Sequence, residues 1–217
     1  MTTHSCPYSD KAYNYMIITL IGFMASGKSS VGKKMSALLS CNYIDLDTYI
    51  EEKYARSIKD IFAKEGEEGF RKKEEESFET LFDTYIAEHQ TENNGESKIK
   101  NNGKLTIIAT GGGIVTNPNC RAYLKKTFCI FLQTGIETVI GRLEEKENCK
   151  DYHSTVSVTE RPLLASQTGP QLYKRVCELM EMREGLYQEC ACKTVTTDGL
   201  TIDEVAAKCC QIISSLS

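Results

Sequence analysis

The chain has 217 residues, an apolar share of 41%, a charged share of 26% and a formal net charge of −4. That length and balance suit one globular domain rather than a fibrous or low-complexity chain. The longest apolar runs, such as Ile17–Ile21 and Ile130–Leu132, fall far short of the roughly 20 residues that cross a bilayer, and no basic stripe marks a nucleic-acid partner.

Residues 1–15 contain no apolar signal core and no Arg, and read as a loose N-terminal tail before a single domain at 16–217. The first strand is expected at Met16–Ile21. Directly after it, Gly22-Phe-Met-Ala-Ser-Gly27-Lys28-Ser29 fits G-x-x-x-x-G-K-[ST], the phosphate-binding loop of nucleoside-triphosphate enzymes. Glycines let such a loop curl until its N–H groups face phosphate oxygens, and the next helix adds the positive end of its dipole. The expected nucleotide contacts are Ala25, Ser26, Gly27, Lys28, Ser29 and Ser30. Lys28 supplies a cation for the terminal phosphates and the Ser29 hydroxyl a ligand for Mg²⁺. A chance glycine turn is the competing reading. The helix that follows, Lys28–Leu39, has an apolar stripe of Val31, Met35, Leu38 and Leu39, so the setting is the strand–loop–helix that the motif requires.

The second strand, Tyr43–Asp45, leads into Asp45-Leu46-Asp47. Alternation along a strand puts both carboxylates on one side at its C-terminal end. One can organise Mg²⁺ water; the other can take a proton from an attacking hydroxyl. An N-cap at Asp47 is a compatible reading. Helices are expected at Thr48–Tyr54 and Ser57–Tyr85. In the second, Phe70, Phe78, Leu81 and Phe82 form a stripe that also contains Arg71 and Glu74. The segment 89–104 is polar and rich in Asn, and reads as a surface insertion. The third strand, Leu105–Ala109, ends in Thr110-Gly111-Gly112-Gly113, where a ligand can touch bare backbone, or the chain simply turns.

A helix at Pro118–Lys125, a strand at Phe128–Leu132 and a helix at Ile136–Glu145 come next. The segment 144–166 is long, charged and poorly periodic. It reads as a lid carrying Arg161, which can reach a transferring phosphoryl group. In the helix Pro170–Glu189, Leu172, Val176, Leu179 and Leu186 share a face with Arg183. A buried guanidinium is costly unless paired. Two of them, Arg71 and Arg183, point to a carboxylate or phosphate site, or to an internal ion-pair network with Glu74. A strand at Lys193–Thr196 and a helix at Ile202–Ser214 close the chain. Strands alternating with helices imply a parallel sheet covered on both faces. The ten cysteines contain no C-x-x-C and read as reduced thiols of a cytoplasmic protein.

Taken in order, these pieces resemble shikimate kinase: Gly22–Ser29, Asp45-x-Asp47, Arg56–Phe62, Phe70-Arg71-x-x-Glu74, Gly111–Gly113, Arg161-Pro162-Leu163-Leu164, and Arg183 before Leu186-Tyr187. The resemblance spans about Ile17 to Ala191. It implies a P-loop α/β/α fold of the nucleoside-monophosphate-kinase type, with a five-stranded parallel sheet in the order 2-3-1-4-5 and a lid. It implies ATP- and Mg²⁺-dependent phosphorylation of the 3-hydroxyl of shikimate, on the route to chorismate and the aromatic amino acids. Under it, Asp47 binds substrate hydroxyls and acts as base, within a substrate-binding segment at about 47–85. Arg71 and Arg183 hold the carboxylate. Gly111, Gly112 and Gly113 meet the ring through backbone, and Ile58, Phe62 and Phe70 line its apolar side. Lys28 and Arg161 stabilise the transferring group, Ser29 and Asp45 serve Mg²⁺, and Arg142 lies on the adenine side. The chain departs from the family in a longer lid, in the insertion, and in having Thr196-Thr197-Asp198-Gly199 where a basic residue is usual. The alternatives are another small-molecule kinase, such as a gluconate kinase, and a catalytically inactive nucleotide-binding module. A monomer with a small-molecule substrate is expected.

Overall fold

Ile18 and Leu20 point to one side of the first strand, and Ile17 and Ile21 to the other; all four are buried. A strand apolar on both faces belongs in the middle of a covered parallel sheet, and that is where it lies. The computed structural model of the chain describes residues 16–90, 105–148, 164 and 169–216. Its strands are β1 (Met16–Ile21), β2 (Asn42–Asp45), β3 (Leu105–Ala109), β4 (Phe128–Gln133) and β5 (Lys193–Thr196). All pair in parallel, in the order β2-β3-β1-β4-β5.

The helices are α1 (Lys28–Leu39), α2 (Leu46–Tyr54), α3 (Ile58–Gln90), α4 (Pro118–Leu124), α5 (Ile136–Asn148), α6 (Gly169–Cys190) and α7 (Ile202–Ser214), with a 3-10 turn at Ile114–Thr116. On one face, Ile18, Leu20, Ile130 and Leu132 pack with Val31 and Met35 of α1 and Val205 and Cys209 of α7. On the other, Ile17, Ile21 and Phe131 pack with residues of α2 to α6, among them Ile50, Phe78, Val139 and Leu179. The alternating faces of β1 and β4 therefore build two separate cores.

Three local features differ from expectation. Asp45 is the N-cap of α2: its Oδ1 accepts the N–H groups of Asp47 and Thr48 at 3.1 and 3.4 Å. Asp47 thus lies in the first turn of a helix, not beside Asp45 on a strand, because the cap starts the helix two residues early. Second, α3 is broken at Gly66 (φ 71°, ψ −173°), a conformation essentially reserved for glycine. Third, α3 continues to Gln90, so only 91–104 of the expected insertion is left, and it lies outside the described residues. Of the expected lid, 144–148 continue α5 and Leu164 is buried in the core. The remainder of the lid, Arg161 included, lies outside the described residues, as does the 1–15 tail.

Candidate active site

The phosphate loop leaves the C-terminal end of β1 with Gly22 at φ 148°, Ala25 at φ 59° and Gly27 at φ 93°. At Gly22 a Cβ would stand 2.6 Å from Leu132 O, so the adjoining strand leaves no room for a side chain there. Lys28 curls back over the loop. Its ammonium donates to Gly22 O at 2.9 Å, Phe23 O at 2.8 Å and Ser26 Oγ at 3.3 Å. No side chain caps α1, whereas α2, α4 and α7 are capped by Asp45, Asn117 and Thr201. The first-turn amides of α1 and the curled loop thus fit a phosphate chain, as the motif requires. Arg142 of α5 donates to Ala25 O at 2.9 Å, which places it on the outer rim of the loop.

The three glycines after β3 bring the two halves of the site together. Gly112 lies against the loop itself: a Cβ there would be 3.0 Å from Met24 N and 3.5 Å from Gly22 O. A Cβ on Gly111 would be 2.7 Å from Glu74 Oε1 and 3.0 Å from Asp47 Oδ1, so both carboxylates face that one point of backbone. A Cβ on Gly113 would be 2.0 Å from Arg71 Nη2. The bare backbone is what lets Asp47, Glu74 and Arg71 converge.

Arg71 and Arg183 are both directed inward, as their positions on apolar stripes implied. Arg71 bonds Glu74 Oε2 at 2.6 Å and Glu67 Oε1 at 3.2 Å, and its guanidinium lies 5.2 Å from the centre of the Phe70 ring. Arg183, only 3% exposed, turns instead to backbone and donates to Gly112 O at 3.4 Å. The same carbonyl accepts from the Tyr187 hydroxyl, and Tyr187 stacks on Phe131 at 5.0 Å. The ion-pair network therefore joins Arg71 to Glu74, while Arg183 braces Gly112. Phe62 and Phe70 pack ring to ring at 4.7 Å, and half-buried Ile58 packs on the same core.

Four buried atoms of this cluster have no protein partner: Asp47 Oδ1, Glu74 Oε1, Arg71 Nε and Arg183 Nε. Two are acceptors and two are donors, the complement of a ligand with both hydroxyl and carboxylate groups. Burial, with Glu74 and Asp45 nearby, raises the Asp47 pKa to about 7, against the opposing pull of Lys28 and Arg71. Burial also raises Glu74, although Arg71 offsets part of it. For Arg71 burial disfavours the charge, but Glu74 and Glu67 outweigh it and the net shift is upward. Arg183 is lowered, chiefly by burial.

Tyr43 and Tyr187 are the contributors that sequence reasoning gave no role. The signal for Tyr43 was its i, i+2 spacing from Asp45 along β2; that for Tyr187 was its place one turn after Arg183. The Tyr43 hydroxyl lies 3.2 Å from Ser29 O and 3.1 Å from Asp45 Oδ2, two acceptors for its one proton. At the ends of β4 and β5, Asp198 accepts the Gly135 N–H with both oxygens, at 3.1 and 3.0 Å, and the Thr134 and Thr197 hydroxyls meet at 2.7 Å. No cluster of three or more His, Cys, Asp or Glu among the described residues is arranged to hold a metal ion alone. Ser29 and Asp45 suit Mg²⁺ that arrives with phosphate oxygens of its own.

The family model for shikimate kinase matches residues 24–88 and 92–214. The shikimate kinase of Dictyoglomus turgidum is 35% identical over 189 residues, covering 87% of this chain and 91% of its own. That of Caldanaerobacter subterraneus subsp. tengcongensis is 36% identical with the same coverage. The structure of the Acinetobacter baumannii shikimate kinase in complex with shikimate is similar over 93% of this chain and 94% of its own, at 30% identity and a TM-score of 0.72. The fold agrees with that of the Acinetobacter baumannii enzyme, and the chain belongs to the shikimate kinase family.

Proposed function

We propose that the chain carries out its family's reaction, phosphorylation of shikimate at the 3-hydroxyl with ATP and Mg²⁺, using the converging residues in the roles that follow. The observation that carries the assignment is the set of four orphaned buried atoms around Gly111–Gly113. Asp47 takes the proton of the attacking hydroxyl on its unpaired Oδ1. A carboxylate whose pKa lies near 7 is matched to proton transfer at neutral pH. Arg71 and Arg183 hold the substrate carboxylate, and Glu74 fixes the Arg71 fork before substrate arrives. Gly111, Gly112 and Gly113 leave room for the ring, against Ile58, Phe62 and Phe70.

Bound ATP with Mg²⁺ supplies the transferable phosphoryl group. The chain's own contribution is to place it. Ala25, Ser26, Gly27, Ser29 and Ser30 present loop and helix amides. Lys28 moves from loop carbonyls to phosphate oxygens, and Ser29 and Asp45 hold the metal, Asp45 through water. Asp47, Arg71 and Gly111–Gly113 follow β2 and β3, so the nucleoside is assigned to the β4–β5 side with Arg142. Arg161 is assigned by resemblance to the transferring group. Segment 47–85 is the substrate-binding part of a single domain, and the lid is assigned by resemblance between Asn148 and Leu164.

The chain is assigned as a monomer because one chain supplies every acceptor-site group. No disulfide joins the eight cysteines among the described residues, which suits a reducing cytoplasm. Among the described residues no helix is long and apolar enough to cross a membrane, and a net charge of −4 offers little to nucleic acid. A coupled ADP-release assay tests the assignment. Turnover is expected with shikimate and, at most, about 1% of it with gluconate, as for a site whose buried polar groups are left unpaired by the wrong ligand. Absence of shikimate-dependent ADP release would overturn it.

A further inference from the structure

The reaction as assigned makes no use of Tyr43, yet this side chain spans the two halves of the site. Its ring lies across α1, where a Cβ on Gly32 would come within 2.7 Å of Tyr43 Cε2. From there the hydroxyl reaches Ser29 O at 3.2 Å and Asp45 Oδ2 at 3.1 Å. The second oxygen of the same carboxylate, Asp45 Oδ1, accepts the Asp47 and Thr48 N–H groups. One phenol therefore bonds the backbone of the residue assigned to Mg²⁺ and the carboxylate that starts the helix carrying the base. It has a single proton for these two acceptors.

We propose that Tyr43 is a positioning residue that couples the nucleotide half of the site to the acceptor half, by holding the Asp45 carboxylate in the rotamer that caps α2. The inference rests on the roles assigned above to Ser29, Asp45 and Asp47. When the nucleotide orders the start of α1, the Tyr43 ring seated over Gly32 is fixed with it, the phenol keeps its proton on Asp45 Oδ2, and Oδ1 keeps the cap. The first turn of α2 tightens and Asp47 is steadied before the acceptor binds. By linkage, the acceptor must strengthen nucleotide binding by the same factor.

Tyr43→Phe keeps the ring over Gly32 and removes only the hydroxyl. In the ligand-free protein, amide hydrogen exchange at 46–48 is expected to quicken roughly five-fold, as for a locally loosened helix start. Unchanged exchange there would overturn the proposal whatever the substrate is. In the wild-type chain Mg·ADP alone slows exchange at the same amides, and no change on its addition counts equally against the idea. Calorimetry then gives the shikimate Kd with and without Mg·ADP. The wild-type ratio is expected at roughly five-fold or more, a typical coupling, and the Tyr43→Phe ratio close to one. A variant that keeps the wild-type ratio refutes the coupling role. Failure of shikimate to bind either protein would sink the acceptor assignment instead, and the exchange data would still decide on Tyr43.

Discussion

Asp47 is buried among carboxylates, with Glu74 and Asp45 beside it. Its pKa of about 7 in the folded, ligand-free chain lies above the ordinary value of 3.8. A raised carboxyl favours folding fully only below its unfolded pKa, and that contribution is lost as pH climbs through the folded value. Asp47→Asn should therefore match the wild type in stability near pH 4 and exceed it by pH 8, by up to about 4 kcal/mol at 1.36 kcal/mol per unit. Denaturant titrations at a series of pH values measure this. The same variant should lose about 10²–10⁴ in turnover, the usual weight of a general base, while nucleotide affinity is kept. Arg183→Lys should raise the shikimate KM roughly 10- to 100-fold, since a point charge replaces a fork at a buried carboxylate site. Arg71 and Arg183 were legible from sequence because a cation on an apolar stripe contradicts its surroundings. Tyr43 was missed because a tyrosine in a strand agrees with a strand pattern, and its i, i+2 spacing from Asp45 was the one trace of a role. The position of Asp47 was misjudged because strand alternation and helix capping compete at Asp45, and only the direction of its Oδ1 decides between them.

Among the elements, those with a single strong periodicity were easiest to delimit. β1, α1, β3, β5 and α7 begin and end where their apolar patterns do. For α7 the reason is explicit: the Thr201 hydroxyl accepts the Glu204 N–H while the Glu204 carboxylate accepts the Thr201 N–H. Thr201→Ala should cost about 0.5–2 kcal/mol of stability and leave kcat and KM unchanged, because that cap lies on the face away from the acceptor site. The break in α3 was hidden. Gly66 and Gly69 both lie within one long helical pattern, and nothing local says which of them bends. Gly66→Ala has room for the methyl but not the backbone angle, so it should destabilise by about 1–3 kcal/mol. Its shikimate KM should also rise, since Ile58 and Phe62 precede the break and Phe70 and Arg71 follow it.

For the molecule as a whole, the alternation of elements implied a covered parallel sheet. The strand order came from the resemblance, because local pattern does not say which strand lies beside which. The two cores lie on opposite faces of the sheet, and a ligand bound at the carboxyl ends of the strands would engage β1, β3, α2, α3 and α6 together. Shikimate at about 100 times its Kd should add about 2.7 kcal/mol of stability. In a chain of this size that raises Tm by roughly 5–10 °C in a thermal melt. Gluconate at the same concentration should leave Tm in place.

Gly112 rests on the loop backbone from one side and is clamped through its carbonyl by Arg183 and Tyr187 from the other. In the proposed arrangement the gap between donor and acceptor is set at this main-chain contact, a ruler made of peptide groups. Replacing Arg183 or Tyr187 would release the Gly112 carbonyl and with it that spacing, whereas replacements that spare the clamp would change only how firmly a reactant is held. High effective molarity depends on that fixed spacing, which here is protected from most single substitutions by being written in backbone.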